Sequence, residues 1–273
     1  MSHCNKESIA EILQHINPDY FKSFDTRKES YHPGLMCVAC ADPRLVPSQL
    51  FSFPPGEEFV RKPIGGFLPC HLAEELGLNA WFSLTAGIKK IGKIIIVAHS
   101  DCAAGNAALN YPTVEAIPDD HPELRNIRAI QNYLFMVGED LAGLAEKCWQ
   151  EARRDEAIAT DLMTKALAVK TLHNLMNYKV YDNRTKTVAE AIVDENVDVS
   201  LIYVDLGETA SSGQVLRKPG IEYYDVLDGS FKTLDPNHVS EHASLHDDLC
   251  NLAHEHQTCH HVNEGHKKVV GEK

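Results

Sequence analysis

The sequence predicts an α/β protein built on a mainly parallel β-sheet flanked by helices, with a helical arm before it and a histidine-rich tail after it. Three observations carry that prediction. Short apolar runs alternate with segments of helical periodicity, the rhythm of a parallel sheet with crossover connections. The two loops richest in reactive side chains each follow one of those runs, where open α/β sheets place their ligands. From about Pro236 onward the pattern dissolves, and that stretch holds eight of the fifteen histidines.

The first 30 residues read as an arm, with Ile9, Ile12 and Ile16 at helical spacing. After Pro33, Gly34 to Ala41 forms an apolar run bounded by Asp42-Pro43, which predicts a buried strand. Glu58 to Arg61 is a weaker strand, and Pro63 with Gly65-Gly66 marks a turn after it. Ala80, Leu84, Ile88 and Ile91 predict a helix that runs into Lys93 to Ala98, the strongest strand signal in the chain. One stripe then links Leu124, Ile127, Ile130, Leu134, Val137, Leu141 and Leu144 as a long helix, bent at Gly138. Further helices are predicted over Ile158 to Met176 and Thr187 to Asp194. Strands over Val199 to Val204 and Ile221 to Val226 close the globular part. The chain therefore divides into an arm (1–30), a globular unit (31–235) and a tail (236–273).

Composition narrows the function. Hydrophobic residues make up 44% and charged residues 24%, ordinary for one large core. The net charge is -13 and there is no Lys/Arg cluster of the kind that neutralises phosphates, so nucleic acid is not an expected partner. The N-terminus lacks a secretory pattern, and the run Ile94 to Ala98 is too short to cross a bilayer, so no membrane is expected. The expected location is cytoplasmic. In that reducing space the eight cysteines are thiols or metal ligands rather than a disulfide framework.

The first loop reads Cys40-Ala41-Asp42-Pro43-Arg44 and the second His99-Ser100-Asp101-Cys102. Two thiolates and an imidazole are three soft or borderline ligands, and three protein ligands with an open fourth position suit catalytic zinc. Asp42 and Arg44 lie two apart in an extended turn and can face the same side.

These residues resemble the signature of the β-class carbonic anhydrases. Cys40-x-Asp42-x-Arg44 followed by His99-x-x-Cys102 carries the likeness. Asp42 to Pro47, Gly56 to Arg61, Ser83 to Gly87, Ile94 to Val97 and Ile202 to Leu206 (ending at Gly213) extend it over about Pro33 to Thr233. The resemblance implies a zinc enzyme that interconverts carbon dioxide and bicarbonate, with Cys40, His99 and Cys102 on the metal. It implies that zinc acidifies a bound water, that Asp42 orients the resulting nucleophile, and that Arg44 keeps Asp42 ionised and turned from the metal. It also implies a homodimer or dimer-based oligomer, with the arm lying across the partner. Two departures stand out: Ala103 replaces the usual glycine after the second cysteine, and Arg61-Lys62-Pro63-Ile64-Gly65-Gly66 replaces an Arg-Asn-Ala-Gly segment.

Competing readings of the same residues stay open from sequence alone. Cys37-x-x-Cys40 with His99-x-x-Cys102 also satisfies a closed Cys3His site, although strand alternation should turn Cys37 away when Cys40 faces a metal. Asp42 and Arg44 can be an ordinary surface ion pair, and the three ligands can be unrelated core residues. Carbonyl sulfide or carbon disulfide are alternative substrates for such a site. A non-catalytic zinc holder is a further alternative, and His242, His246, Cys250 and His254, each four apart in the tail, favour it.

Overall fold

The computed structural model describes residues 34–52, 58–69, 92–113, 133, 140–180, 183–195, 197–209 and 215–234. The expected arm, the helix over Ala80 to Ile91, the stripe residues from Leu124 to Val137 and the tail lie outside the described residues.

A six-stranded sheet organises the chain. Its strands are β1 (Leu35–Ala39), β2 (Glu58–Arg61), β3 (Lys93–His99), β6 (Asp198–Asp205), β9 (Gly220–Asp225) and β10 (Ser230–Thr233), in the order β10-β9-β6-β3-β1-β2. β2, β1, β3 and β6 run parallel, with Leu35 opposite Glu58, Ala39 opposite Val97 and His99 opposite Val204. β9 and β10 are antiparallel additions at one side, so the sheet is mixed. Two short ribbons stand apart from it: β4 (Lys179–Val180) with β5 (Asn183–Thr187), and β7 (Glu208–Thr209) with β8 (Val215–Arg217).

The central strands are buried on both faces, which is why they read as continuous apolar runs rather than alternating ones. Alternate residues serve two separate cores. Met36, Val38, Ile94, Ile96, Ala98, Val199, Leu201 and Tyr203 pack on one side, against Leu172 and Leu175 of α4 (Glu156–Asn177) and Ile192 of α5 (Val188–Glu195). Cys37, Ala39, Val97, Ile202 and Val204 pack on the other, against α2 (Ala103–Asn110), α3 (Leu141–Glu151) and the first half of α4. A four-residue helix, α1 (Pro47–Leu50), follows the first loop.

Helix boundaries follow their caps. Asp155 accepts a hydrogen bond from the Ile158 N–H at 3.1 Å, so α4 begins two residues before the predicted start. Thr187 and Glu190 form a capping box ahead of α5. One expectation is corrected here. Leu141 and Leu144 belong to a helix that starts at Leu141: Asp140 is non-helical and caps it, accepting from the Gly143 N–H at 3.1 Å. Among the described residues, no helix is long and apolar enough to cross a membrane.

Candidate metal centre

Because β1 and β3 are parallel neighbours, the loops that leave them emerge at the same edge of the sheet. That brings together Cys40, one residue past β1, His99, the last residue of β3, and Cys102, the cap residue of α2. Their ligand atoms all lie within 4.8 Å of one another. All three are buried, His99 completely.

The histidine is already oriented. Its Nδ1 sits 2.7 Å from the Ser100 carbonyl oxygen, which can only accept, so Nδ1 carries a proton. Nε2 is buried and has no hydrogen-bond partner among the described residues. A buried imidazole lone pair left bare between two thiols is what a metal ligand held by a main-chain carbonyl looks like.

The thiols share their protons unequally. The Cys102 thiol beside it holds Cys40 well below the usual thiol range, against burial, with help from His99 and the Asp42 N–H. Cys102 is pushed the other way, first by its bond to Cys40 and then by burial. Burial pulls His99 down, but the Cys40 sulfur, the Ser100 carbonyl and Asp42 raise it on balance. One negative charge is therefore stabilised among the three groups, and a second is opposed. A divalent cation removes that opposition, and the donor set of two sulfurs and one nitrogen fits a borderline-soft metal.

Asp42 stands at the mouth of this cluster, its Oδ2 4.0 Å from His99 Nε2. Arg44 grips it as a fork: Nε lies 3.1 Å from Oδ1 and Nη2 2.7 Å from Oδ2, while the Arg44 main-chain N–H donates to Oδ1 at 2.8 Å. These bonds hold the Asp42 carboxyl down at about 2. Arg44 Nη2 also donates to the Asp101 carbonyl at 3.2 Å, joining the first loop to the second.

The structure sorts the remaining candidates. Cys37 is buried and stands outside the three-residue cluster. Strand alternation does not separate it from Cys40, which lies beyond the strand and packs in the same core. Burial pushes the Cys37 thiol up to about 12, so it stays protonated. Ala103 is exposed and lines an open pocket with Asp101, Asn106 and Glu156. The tight helix contact falls two residues later, at Gly105, where a Cβ would stand 2.0 Å from Thr164 Oγ1.

Sequence reasoning missed three side chains that hold the loops. Lys62 Nζ donates to the carbonyls of Asp42 (3.2 Å) and Leu45 (2.8 Å), clamping the turn that carries Asp42 and Arg44. Ser100 Oγ donates to Asp205 at 3.3 Å and accepts from the Leu206 N–H at 2.9 Å, tying the second loop to the end of β6. Arg217 pairs with Asp101 in the same loop. Lys62 was visible only as an unusual residue in a familiar segment, and Arg217 had no signal at all.

A parallel-centred sheet with a buried Cys/His/Cys cluster at its strand ends defines a candidate metalloprotein of the α/β class. Comparison with known proteins makes the class specific. The carbonic anhydrase family model matches residues 35–208, and this chain belongs to that family, in its β class. A carbonic anhydrase from Pseudomonas aeruginosa is 32% identical over 98 residues, covering 36% of this chain and 43% of that protein. One from Synechocystis is 25% identical over 188 residues, covering 65% of this chain and 62% of the relative. The matched region thus spans about half the length of these relatives. The β-carbonic anhydrase CcaA shares the fold with a TM-score of 0.62 at 16% identity, covering 88% of this chain and 94% of that one. A tetrameric β-carbonic anhydrase from Sordaria macrospora gives 0.53 at 18% identity, with coverage of 82% and 90%.

Proposed function

We propose that this protein is a zinc carbonic anhydrase, catalysing the reversible hydration of carbon dioxide to bicarbonate. The observation that carries the reading is the Arg44 fork on Asp42, set 4.0 Å from His99 Nε2 at the mouth of the ligand cluster. Cys40, His99 and Cys102 would hold the metal. When bound, zinc acidifies a water toward neutral pH and so supplies the nucleophile.

The chain's own residues do the rest. Arg44 keeps Asp42 ionised, so its carboxylate acts only as an acceptor near neutral pH. Both Asp42 oxygens are turned to Arg44, which holds the carboxylate off the cluster while leaving Oδ2 close enough to accept a hydrogen bond from the attacking oxygen. Such a bond would orient the nucleophile toward carbon dioxide. The Ser100 carbonyl holds the His99 ring by Nδ1 and leaves Nε2 for the metal. A protein that merely stored zinc would have no use for the fork.

The working unit proposed is residues 31–235, with 1–30 as an arm across a second copy and 236–273 as a tail. The Sordaria relative is described as tetrameric, and a dimer or dimer-based oligomer is proposed here, checked by sedimentation at micromolar concentration. Stopped-flow hydration of carbon dioxide by zinc-loaded protein, with carbonyl sulfide run alongside, tests the activity. Rapid hydration with negligible carbonyl sulfide turnover is expected. Turnover of carbonyl sulfide alone, or of neither gas, overturns the reading.

A further inference from the structure

Asp101 lies between two of the three metal-cluster residues and has φ = 54°, in the left-handed region that side chains other than glycine rarely occupy. Aspartate enters that region more readily than most side chains, and here the residue is also contacted from two directions. Its carbonyl oxygen accepts from Arg44 Nη2 at 3.2 Å, so the backbone at this residue sets where the Arg44 fork can stand. Its side chain is held from the other direction by Arg217, with Nη2 3.5 Å from Asp101 Oδ2.

Arg217 stands among three carboxylates at ion-pair distance, while its buried Nε and Nη2 make no hydrogen bond among the described residues. Its Nε lies 2.9 Å from Asp205 Oδ1 at the end of β6, and its Nη1 lies 3.8 Å from Asp161 Oδ2 on α4. Asp205 Oδ1 is itself fixed, accepting from Ser100 Oγ at 3.3 Å and from the Gly207 N–H at 2.8 Å. One guanidinium therefore pairs electrostatically with the loop between His99 and Cys102, with the end of a sheet strand and with a helix. It sits two atoms' contacts away from the fork: Arg217 to the Asp101 carboxylate, then the Asp101 carbonyl to Arg44. Arg217 also lies beyond residues 35–208, the stretch that the family model matches.

We propose that Arg217 is a positioning residue for the Asp42/Arg44 pair, acting through Asp101 by holding that residue's left-handed backbone and so the carbonyl that receives Arg44. The inference rests on the carbonic anhydrase reading for its effect on turnover, but its mechanical part is independent of that reading. Removing Arg217 releases the Asp101 side chain, the backbone at 101 relaxes, and Arg44 loses its second acceptor. The metal ligands keep their own supports, the Ser100 carbonyl on His99 and the helix start at Cys102.

The test uses full-length zinc-loaded protein with Arg217→Gln, Arg217→Lys, Arg44→Ala and the double variant Arg44→Ala/Arg217→Gln. Zinc content should stay at the native level in Arg217→Gln, with kcat for carbon dioxide hydration down roughly tenfold and KM unchanged. Arg217→Lys should recover part of the loss. In the Arg44→Ala background the second change should cost nothing further, since the fork it positions is already gone. The Arg44 Nε–H resonance supplies a readout free of turnover: Arg217→Gln should shift it and speed its exchange with solvent. An unmoved Arg44 resonance, or losses that multiply in the double variant, overturns the proposal. If the native protein hydrates no carbon dioxide yet the Arg44 resonance responds, the functional reading fails and the positioning role stands.

Discussion

The two loops that meet at the candidate metal centre leave neighbouring parallel strands, yet they are held in opposite ways. The first, from Cys40 to Leu45, is held mostly from nearer in the chain: Arg44 reaches back two residues to Asp42 and Lys62 reaches across 20, with one bond from Arg44 to the Asp101 carbonyl across 57. The second, from His99 to Cys102, is held from far off, with Ser100 bonded to Asp205 across 105 residues. Its Asp101 carboxylate pairs with Arg217. A turn whose restraints are local can be recognised from its own text. A turn whose restraints are distant can be recognised only by the ligands it carries.

The largest effect should come from changes that the two loops share. Cys40→Ala, His99→Ala or Cys102→Ala should each abolish tightly bound zinc, read by elemental analysis of purified protein, while Cys37→Ala retains it. Loss of zinc in the Cys37 variant would restore the closed four-ligand site and erase the division of labour described here.

The next effect separates the local loop from the metal. Asp42→Asn and Arg44→Ala should keep zinc and lower carbon dioxide turnover on the order of a hundredfold, the size expected when a group that handles the reacting proton is lost. Full activity in both would reduce the pair to a surface ion bridge.

Stability comes next, and here the loops should part. Ser100 is fully buried, so Ser100→Ala leaves the Leu206 N–H without its acceptor and should cost about 1–3 kcal/mol in urea unfolding of the zinc-free protein. Lys62 is exposed, and Lys62→Met should cost about 1 kcal/mol or less. Equal losses, or a larger one at Lys62, would mean that the near restraint is not the weaker of the two.

The smallest effect is acid sensitivity. Asp42 is held at about 2, below the usual 3.8, so its pairing stabilises the fold fully above pH 3.8 and is lost as pH falls through about 2. Arg44→Ala should raise the Asp42 carboxyl midpoint toward 3.8 in a carbon-13 titration of zinc-free protein. The stability gap between the two proteins should close over the same window. It should be slight, because Arg44 is 52% exposed and solvent screens the pair. A midpoint that does not move in the variant would show that Arg44 is not what holds it.

The same contrast explains what was legible in the sequence. Buried strands such as Lys93–His99 announced themselves because apolar residues are needed on both faces. The Cys40, His99 and Cys102 grouping was suggested by residue type and by position after apolar runs, and the Asp42/Arg44 pair by the family resemblance with spacing in support. β10 and the short ribbons were not legible, since each has little apolar surface to pattern it, and Asp140 caps a helix that starts inside the apparently continuous stripe. Lys62 and Arg217 were illegible for another reason. Their roles are to receive oxygen atoms that the fold, not the local sequence, brings to them.

Strand order also has a consequence for how the protein comes into being. Cys40 is synthesised ahead of Cys102 by about 3–12 s at ordinary rates of chain growth. For that interval one thiol of the cluster exists in a nascent chain without its partners. Ser100 then waits about 5–20 s more for Asp205, the residue to which its hydroxyl donates. A metal captured as soon as Cys102 emerges would meet a first loop able to close on its own and a second not yet anchored. On the proposed reading, secure loading would fall late, after β6 has been made and has joined β3.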